Sequence, residues 1–163
     1  MDLGSGAKMM FISHRGNRFG PDETRENSPS FIDEAIAKGF SVEIDLRLVG
    51  DVIYLGHDGP QYDIDLDWLQ SRRTLLWIHA KNREAFEYCL KHNLHTFFHD
   101  KDDYTMTSWG YVWAYPGKLP AGQLCIGVMP EHHFLPDEVL KMSFLGICTD
   151  FPELLKDPTM AEL

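Results

Sequence analysis

The chain has 163 residues, a length that supports one domain with a substantial core and is short for two. Its 44% hydrophobic and 25% charged residues are ordinary for a globular protein and exclude a disordered one. A net charge of −10 without any basic block argues against a nucleic-acid partner or an anionic membrane surface.

Cys89, Cys125 and Cys148 are far apart and form no CxxC, so a reducing, cytoplasmic setting is expected rather than a disulfide framework. No apolar run reaches the ~20 residues of a membrane span, and the opening residues lack the pattern of a signal peptide. The expected organisation is a flexible lead-in over residues 1–8 and a single domain over 9–163.

Met9 to Ser13 is a short apolar run suited to a buried first strand, ending in His14-Arg15-Gly16. Residues 17–27 are polar with Gly and Pro, and predict a loop. Ser28-Pro29 opens a helix as N-cap and first helical residue; Phe31, Ile32, Ala35 and Ile36 keep helical spacing, and Gly39 ends it. Val42 to Leu48 then alternates strictly, with Val42, Ile44, Leu46 and Leu48 on one face and Glu43, Asp45 and Arg47 on the other. Two acids about 7 Å apart on one strand face read either as a solvated surface or as a pair converging on a divalent cation.

Val49-Gly50-Asp51 is turn chemistry, so Val52 to Leu55 folds back as a hairpin strand delivering His57. Residues 65–70 predict a turn or two of helix. Thr74 to Ile78 is the next buried strand, running into His79 and Lys81. Asn82 caps a helix over 83–92, with Phe86, Cys89 and Leu90 expected in the core. Four more short strands are predicted at 95–99, 111–114, 124–128 and 145–149, with one helix among them at 136–142. The connections at 100–109 and 115–123 are too short and polar for full helices. Alternating strands and helices predict an α/β fold with a parallel sheet. A complete barrel takes about 250 residues. The expectation is therefore a small, pared-down TIM-type (β/α) barrel with helices missing in its second half.

Working groups of such barrels sit at the C-terminal ends of the strands. Here those ends carry His14 and Arg15, then Glu43 and Asp45, then His57, then His79 and Lys81. Acids that hold a cation, basic groups for phosphoryl oxygens and two histidines to exchange protons form a coherent set for cleaving a phosphodiester.

His14-Arg15-Gly16, Glu26-Asn27-Ser28, Glu43-Ile44-Asp45 and His57-Asp58, in that order and setting, resemble the glycerophosphodiester phosphodiesterase family. Ile78 to Lys81 resembles that family's third strand, and Thr149-Asp150-Phe151-Pro152 its closing strand. The resemblance spans residues 9–82 and then thins out except at that last motif. It implies a barrel with one divalent cation, usually Mg²⁺ or Ca²⁺ in that family, held by Glu43 and Asp45; for this chain Mg²⁺ or Mn²⁺ is expected, with Ca²⁺ as a further option. It also implies His14 and His57 as the acid–base pair, Lys81 and Arg15 at the phosphate, and Glu26 and Asn27 organising the first loop. The family's route is attack by a neighbouring substrate hydroxyl, giving a cyclic phosphate that water then opens.

Three departures mark this chain. His79 stands where the family has a third carboxylate; as a ligand it would favour Mn²⁺ or another transition ion over Ca²⁺, and otherwise it would hydrogen-bond a ligand. The 17–25 loop is long and charged, and the second half is short. His99 is a candidate for the mouth, against a solvated charged loop. Trp109, Tyr111, Trp113 and Tyr115 read as core or as a stacking surface. Asp150 is expected beside the first strand, orienting Arg15 or a substrate hydroxyl or serving structure alone. Glu131 is a further candidate near the metal.

The expected activity is hydrolysis of a small soluble phosphodiester, by a monomer or a self-associated barrel. The alternatives are a phospholipase D-like lyase releasing a cyclic phosphate and a non-catalytic phosphodiester-binding protein.

Overall fold

A computed structural model describes residues 8–115 and 122–159. Residues 1–7, most of the expected lead-in, and 116–121, most of the second polar connection, lie outside the described residues.

The chain opens with β1 (Met10–His14), α1 (Pro29–Ala37), β2 (Ser41–Val49) and β3 (Val52–Leu55). It continues with β4 (Tyr62–Ile64), α2 (Leu66–Ser71), β5 (Leu76–Ala80) and α3 (Arg83–Lys91). The second half holds β6 (Thr96–Phe97), β7 (Tyr104–Met106), β8 (Val112–Ala114), β9 (Gly122–Val128), a 3₁₀ turn (Pro130–His132), α4 (Pro136–Val139), β10 (Phe144–Thr149) and α5 (Pro152–Lys156). Local chemistry sets the helix starts: Ser28, Asp65 and Asn82 each accept a backbone N–H of the first turn. No described helix is long and apolar enough to cross a membrane.

All ten strands belong to one mixed sheet. Its parallel part runs β6-β5-β2-β1-β10-β9-β8, with the hairpin strands β3 and β4 leaving β2 where β1 ends. The sheet curls so that its concave face is filled by its own side chains. Ile12, Trp77, Phe97, Trp113, Ile126 and Cys148, from six strands, form one buried cluster there. Ile32, Ala35, Val42, Ile44, Leu46, Ile78, Ala85 and Cys89 form a second cluster, between the convex face and α1 and α3. A smaller third cluster, around Val139, Ile147 and Leu155, lies under α4 and α5.

The architecture is therefore mixed α/β with a curled, barrel-like sheet, and an all-parallel TIM ring is not formed among the described residues. The seam is filled by β7, which pairs antiparallel with β8. On its other side Ser108 N–H donates to Thr96 O, Ser108 Oγ accepts from Thr96 N–H, and Thr105 Oγ1 donates to Phe98 O. Residues 100–109 read as too short and polar for a full helix, and the solution is a hairpin, which reverses direction in a few residues where a parallel crossover needs a dozen. The expected 136–142 helix is a single turn, α4, and α5 is an element the sequence reading missed. Leu90 is about half exposed rather than core, because α3 turns Ala85 and Cys89 inward.

Candidate metal and phosphodiester site

Period-two alternation places Glu43 and Asp45 of β2 on the concave face while Val42, Ile44 and Leu46 pack outward. The solvated-face reading is overturned: Glu43 is 3% exposed and Asp45 fully buried. Strand register then decides their neighbours. His14 of β1 is aligned with Glu43, and His79 of β5 with Asp45.

Glu43, Asp45 and His79 each offer a ligand atom within 4.8 Å of the others. Glu43 Oε2 and Asp45 Oδ1 are buried without a hydrogen-bond partner. Two orphaned carboxylate oxygens and an imidazole at one point are what a divalent cation requires, so the residues fit one.

Around this cluster the charges are ordered. Arg15 Nε lies 2.9 Å from Asp45 Oδ2, its Nη1 donates to Glu26 Oε2 at 3.1 Å, and Lys81 Nζ stands 4.0 Å from Asp45 Oδ1. Asn27 grips Asp45 twice, its side-chain N–H donating to Oδ2 at 2.9 Å and its Oδ1 accepting the Asp45 backbone N–H at 3.0 Å. Arg15 and Asn27 both hold left-handed backbone, and Asn27 N–H donates to Arg15 O. Gly16, directly after Arg15, has φ +93°, and a Cβ on it would lie 2.9 Å from the Phe31 ring of α1.

His14 is held by Asp150, whose Oδ1 is 2.7 Å from Nδ1, while Nε2 stands 3.8 Å from Glu43 Oε2. Asp150 also accepts from Asn17, which in turn donates to Glu26. Glu131 fixes this corner: its Oε1 accepts the Thr149 hydroxyl at 2.7 Å and the Asp150 backbone N–H at 3.0 Å. The 17–27 loop is pinned to the same corner, Gly20 N–H donating to Asp150 O and Arg18 pairing with Glu153.

Burial works against a charged His14, but the Asp150 hydrogen bond and the negative Glu43 outweigh it and raise its pKa above the ordinary value. Burial likewise opposes ionised Asp45 and Asp150. His79, Arg15 and Asn27 outweigh it at Asp45, and His14 and Asn17 do so at Asp150, lowering both. Glu43 goes the other way: burial and the adjacent Asp45 push it well above the carboxylate range. Two buried carboxylates without an intervening cation cannot both ionise cheaply.

His99 extends this surface. Its ring stacks on His79, with centroids 4.6 Å apart, and Tyr115 meets it edge-on. Burial and the neighbouring His79 and Lys81 push the His99 pKa down to about 4. Tyr111 and Trp113 belong to the core, as one of the two readings had it; Trp109 stacks on His95, and only Tyr115 of the four reaches the mouth.

The structure thus brings together His14, Arg15, Glu26, Asn27, Glu43, Asp45, His79, Lys81, His99 and Asp150. Among the described residues no hydrogen bond or ion pair joins the His57 side chain to them. That imidazole is 43% exposed and bonds Asp58 Oδ1 at 2.7 Å, although Gly56 N–H ties its turn to Asp45 O. Asp150 orients His14 and not Arg15, because His14 ends β1 directly beside β10. Glu131 supports that corner rather than the cation cluster. Asn17, which links Glu26 to Asp150, was missed; a lone Asn in a polar loop carries no periodic signal.

Neither a protein-family model nor a curated protein matches the chain. Solved structures do. A glycerophosphodiester phosphodiesterase from Agrobacterium tumefaciens str. C58 is similar at TM-score 0.59 and 15% identity, over 91% of this chain and 97% of that one. One from Parabacteroides distasonis ATCC 8503 is similar at TM-score 0.58 and 15% identity, over 94% and 98%. At that identity the likeness is one of fold.

Proposed function

We propose that the chain is a metal-dependent phosphodiesterase of the glycerophosphodiester phosphodiesterase type, acting on a small soluble phosphodiester. The observation that carries the reading is the buried Glu43–Asp45–His79 cluster, flanked by Arg15, Lys81 and His14 at the C-terminal ends of parallel strands. The shared fold with the two phosphodiesterases supports it.

A cation bound by Glu43, Asp45 and His79 would polarise the phosphoryl group and offset charge that builds on its oxygens. Ionised Asp150 accepts from His14 Nδ1–H, which leaves Nε2 to take a proton from an attacking hydroxyl and to return one. Lys81, 4.0 Å from Asp45, supplies positive charge beside the same oxygens. Arg15, engaged with Asp45 and Glu26, contributes its charge and holds Asp45 in place.

One observation favours a second reading, a binding protein on the same fold: the His57 imidazole bonds Asp58, and no hydrogen bond or ion pair among the described residues joins it to the cluster or to His14. Phosphorus NMR of a panel of glycerol, sugar and lyso-lipid headgroup diesters separates the two. Turnover that needs a divalent cation and is lost in His14→Ala establishes the enzyme, and the product shift distinguishes a cyclic phosphate from a monoester. Binding without turnover of any diester by folded, metal-loaded protein establishes the second reading.

A further inference from the structure

We infer that the cluster is a mixed imidazole–carboxylate centre selective for Mn²⁺ and the transition ions near it, and that it discriminates against Ca²⁺ and Mg²⁺. The inference rests on the metal-dependent reading above but concerns the donor set, which is open to test without turnover.

Three features carry it. The first is the identity and hold of His79. Its ring lies nearly parallel to His99 (4.6 Å, 11°) and to Phe97 (5.0 Å, 18°), which fixes its plane. Its Nδ1 faces Asp45 Oδ1 at 3.4 Å, while that oxygen remains without a hydrogen bond. At that separation the two atoms are close enough to be ligands of one ion, together with Glu43.

The second feature is charge. The two carboxylates face two fixed cations: Arg15 is 2.9 Å from Asp45 and Lys81 is 4.0 Å from it. With no third carboxylate among the described residues of the cluster, the protein groups sum to about zero when ionised. Hard cations such as Ca²⁺ depend on many charged and carbonyl oxygens, which this centre lacks. An ion that forms a strong bond to imidazole nitrogen gains from His79 what a hard ion does not.

The third is enclosure. Asp45 is fully buried and Glu43 nearly so, and the loop and β10 corner fixes the surrounding charges. A preorganised set of few donors does not widen readily to the six to eight oxygens that Ca²⁺ takes.

The test is equilibrium binding on metal-free full-length protein, by calorimetry with Mn²⁺, Mg²⁺ and Ca²⁺, together with pulsed EPR of the Mn²⁺ complex. His132→Gln and His133→Gln are introduced throughout, since those two exposed histidines are an alternative nitrogen source. Mn²⁺ is expected to bind at least about tenfold more tightly than Mg²⁺ or Ca²⁺, with imidazole ¹⁴N coupling in the EPR spectrum. His79→Gln should weaken Mn²⁺ by about tenfold or more and remove the coupling, and His79→Glu should narrow the gap to Ca²⁺. Ca²⁺ or Mg²⁺ binding as tightly as Mn²⁺, or a Mn²⁺ complex without nitrogen coupling, overturns the inference. The order of Mn²⁺, Mg²⁺ and Ca²⁺ affinities on protein that retains His79 decides the matter even if both His79 variants fail to fold, and His14→Gln, which removes the other imidazole facing Glu43, should leave the nitrogen coupling in place. A selective centre in a protein that turns over no diester would leave this inference standing and remove the catalytic reading.

Discussion

Asp150 Oδ1 lies 2.7 Å from His14 Nδ1, joining the end of the last strand to the end of the first across 136 positions of sequence. Asp150 is itself held by Asn17 and by Glu131 through its backbone N–H, so the imidazole is oriented from several sides. The carboxylate sets which nitrogen carries the proton and turns the other toward Glu43.

Asp150→Asn removes that charge while keeping the shape. The His14 pKa is expected to fall, because the hydrogen bond and negative charge that outweigh its burial are weakened. Diester turnover should drop by about 10²–10⁴, the range for a misoriented acid–base histidine. Imidazole titration by NMR checks the first part in the absence of any substrate. An unmoved His14 would show that Asp150 serves only the loop.

Asn27 offers a way to separate backbone from side chain. Its φ of +64° and its two hydrogen bonds to Asp45 are independent demands on one residue. Asn27→Ala is expected to cost about 3 kcal/mol, from a charged hydrogen bond lost in the interior and left-handed strain. Asn27→Gly relieves the strain and should recover about 1 kcal/mol of that. Urea denaturation of both variants provides the comparison, and equal losses would place the whole cost on the side chain.

Glu43 is the component of the site that works against folding when no cation is present. Its pKa is raised by burial and by Asp45, so the metal-free fold loses stability as pH climbs from the ordinary carboxylate value through the raised one. Glu43→Gln should stabilise the metal-free protein at pH 8 by roughly 2 kcal/mol and have little effect at pH 4. The same variant should lose most of the thermal stabilisation that Mn²⁺ confers. Melting curves at the two pH values, with and without metal, test both statements; destabilisation at pH 8 would mean that Glu43 is held by a partner.

His95 sets an acid limit at the opposite end of the barrel interior. It is buried against Trp77 and Trp109, its Nε2 2.7 Å from Thr107 Oγ1, and burial pushes its pKa down to about 4. Between pH 6.5 and about 4 the unfolded chain takes up a proton that the folded one refuses. Stability from this residue is therefore complete above pH 6.5 and lost as pH falls through that window. His95→Gln should flatten the stability profile over the same interval in chemical denaturation series. A variant as acid-labile as the parent would assign the loss to other groups.

The sequence by itself determined the local half of this protein. Alternation in Val42–Leu48 set which face carries Glu43 and Asp45; Ser28, Asp65 and Asn82 set three helix starts; His14, His79 and Lys81 fell at strand ends because apolar runs stop there. These are properties of neighbours in the chain, with periods of two or 3.6 that a sequence displays.

Tertiary structure decided everything that depends on which strands lie side by side. Parallel pairing of β1, β2 and β5 turned a pair of acids that read equally as surface into a buried cluster with His79. The approach of β10 to β1 gave His14 its partner, and gave Asn17 and Glu131 roles that no spacing announces. The antiparallel β7 at the seam and the bonding of His57 to Asp58 were equally illegible, since short polar segments carry no period and their geometry is set by the elements they bridge.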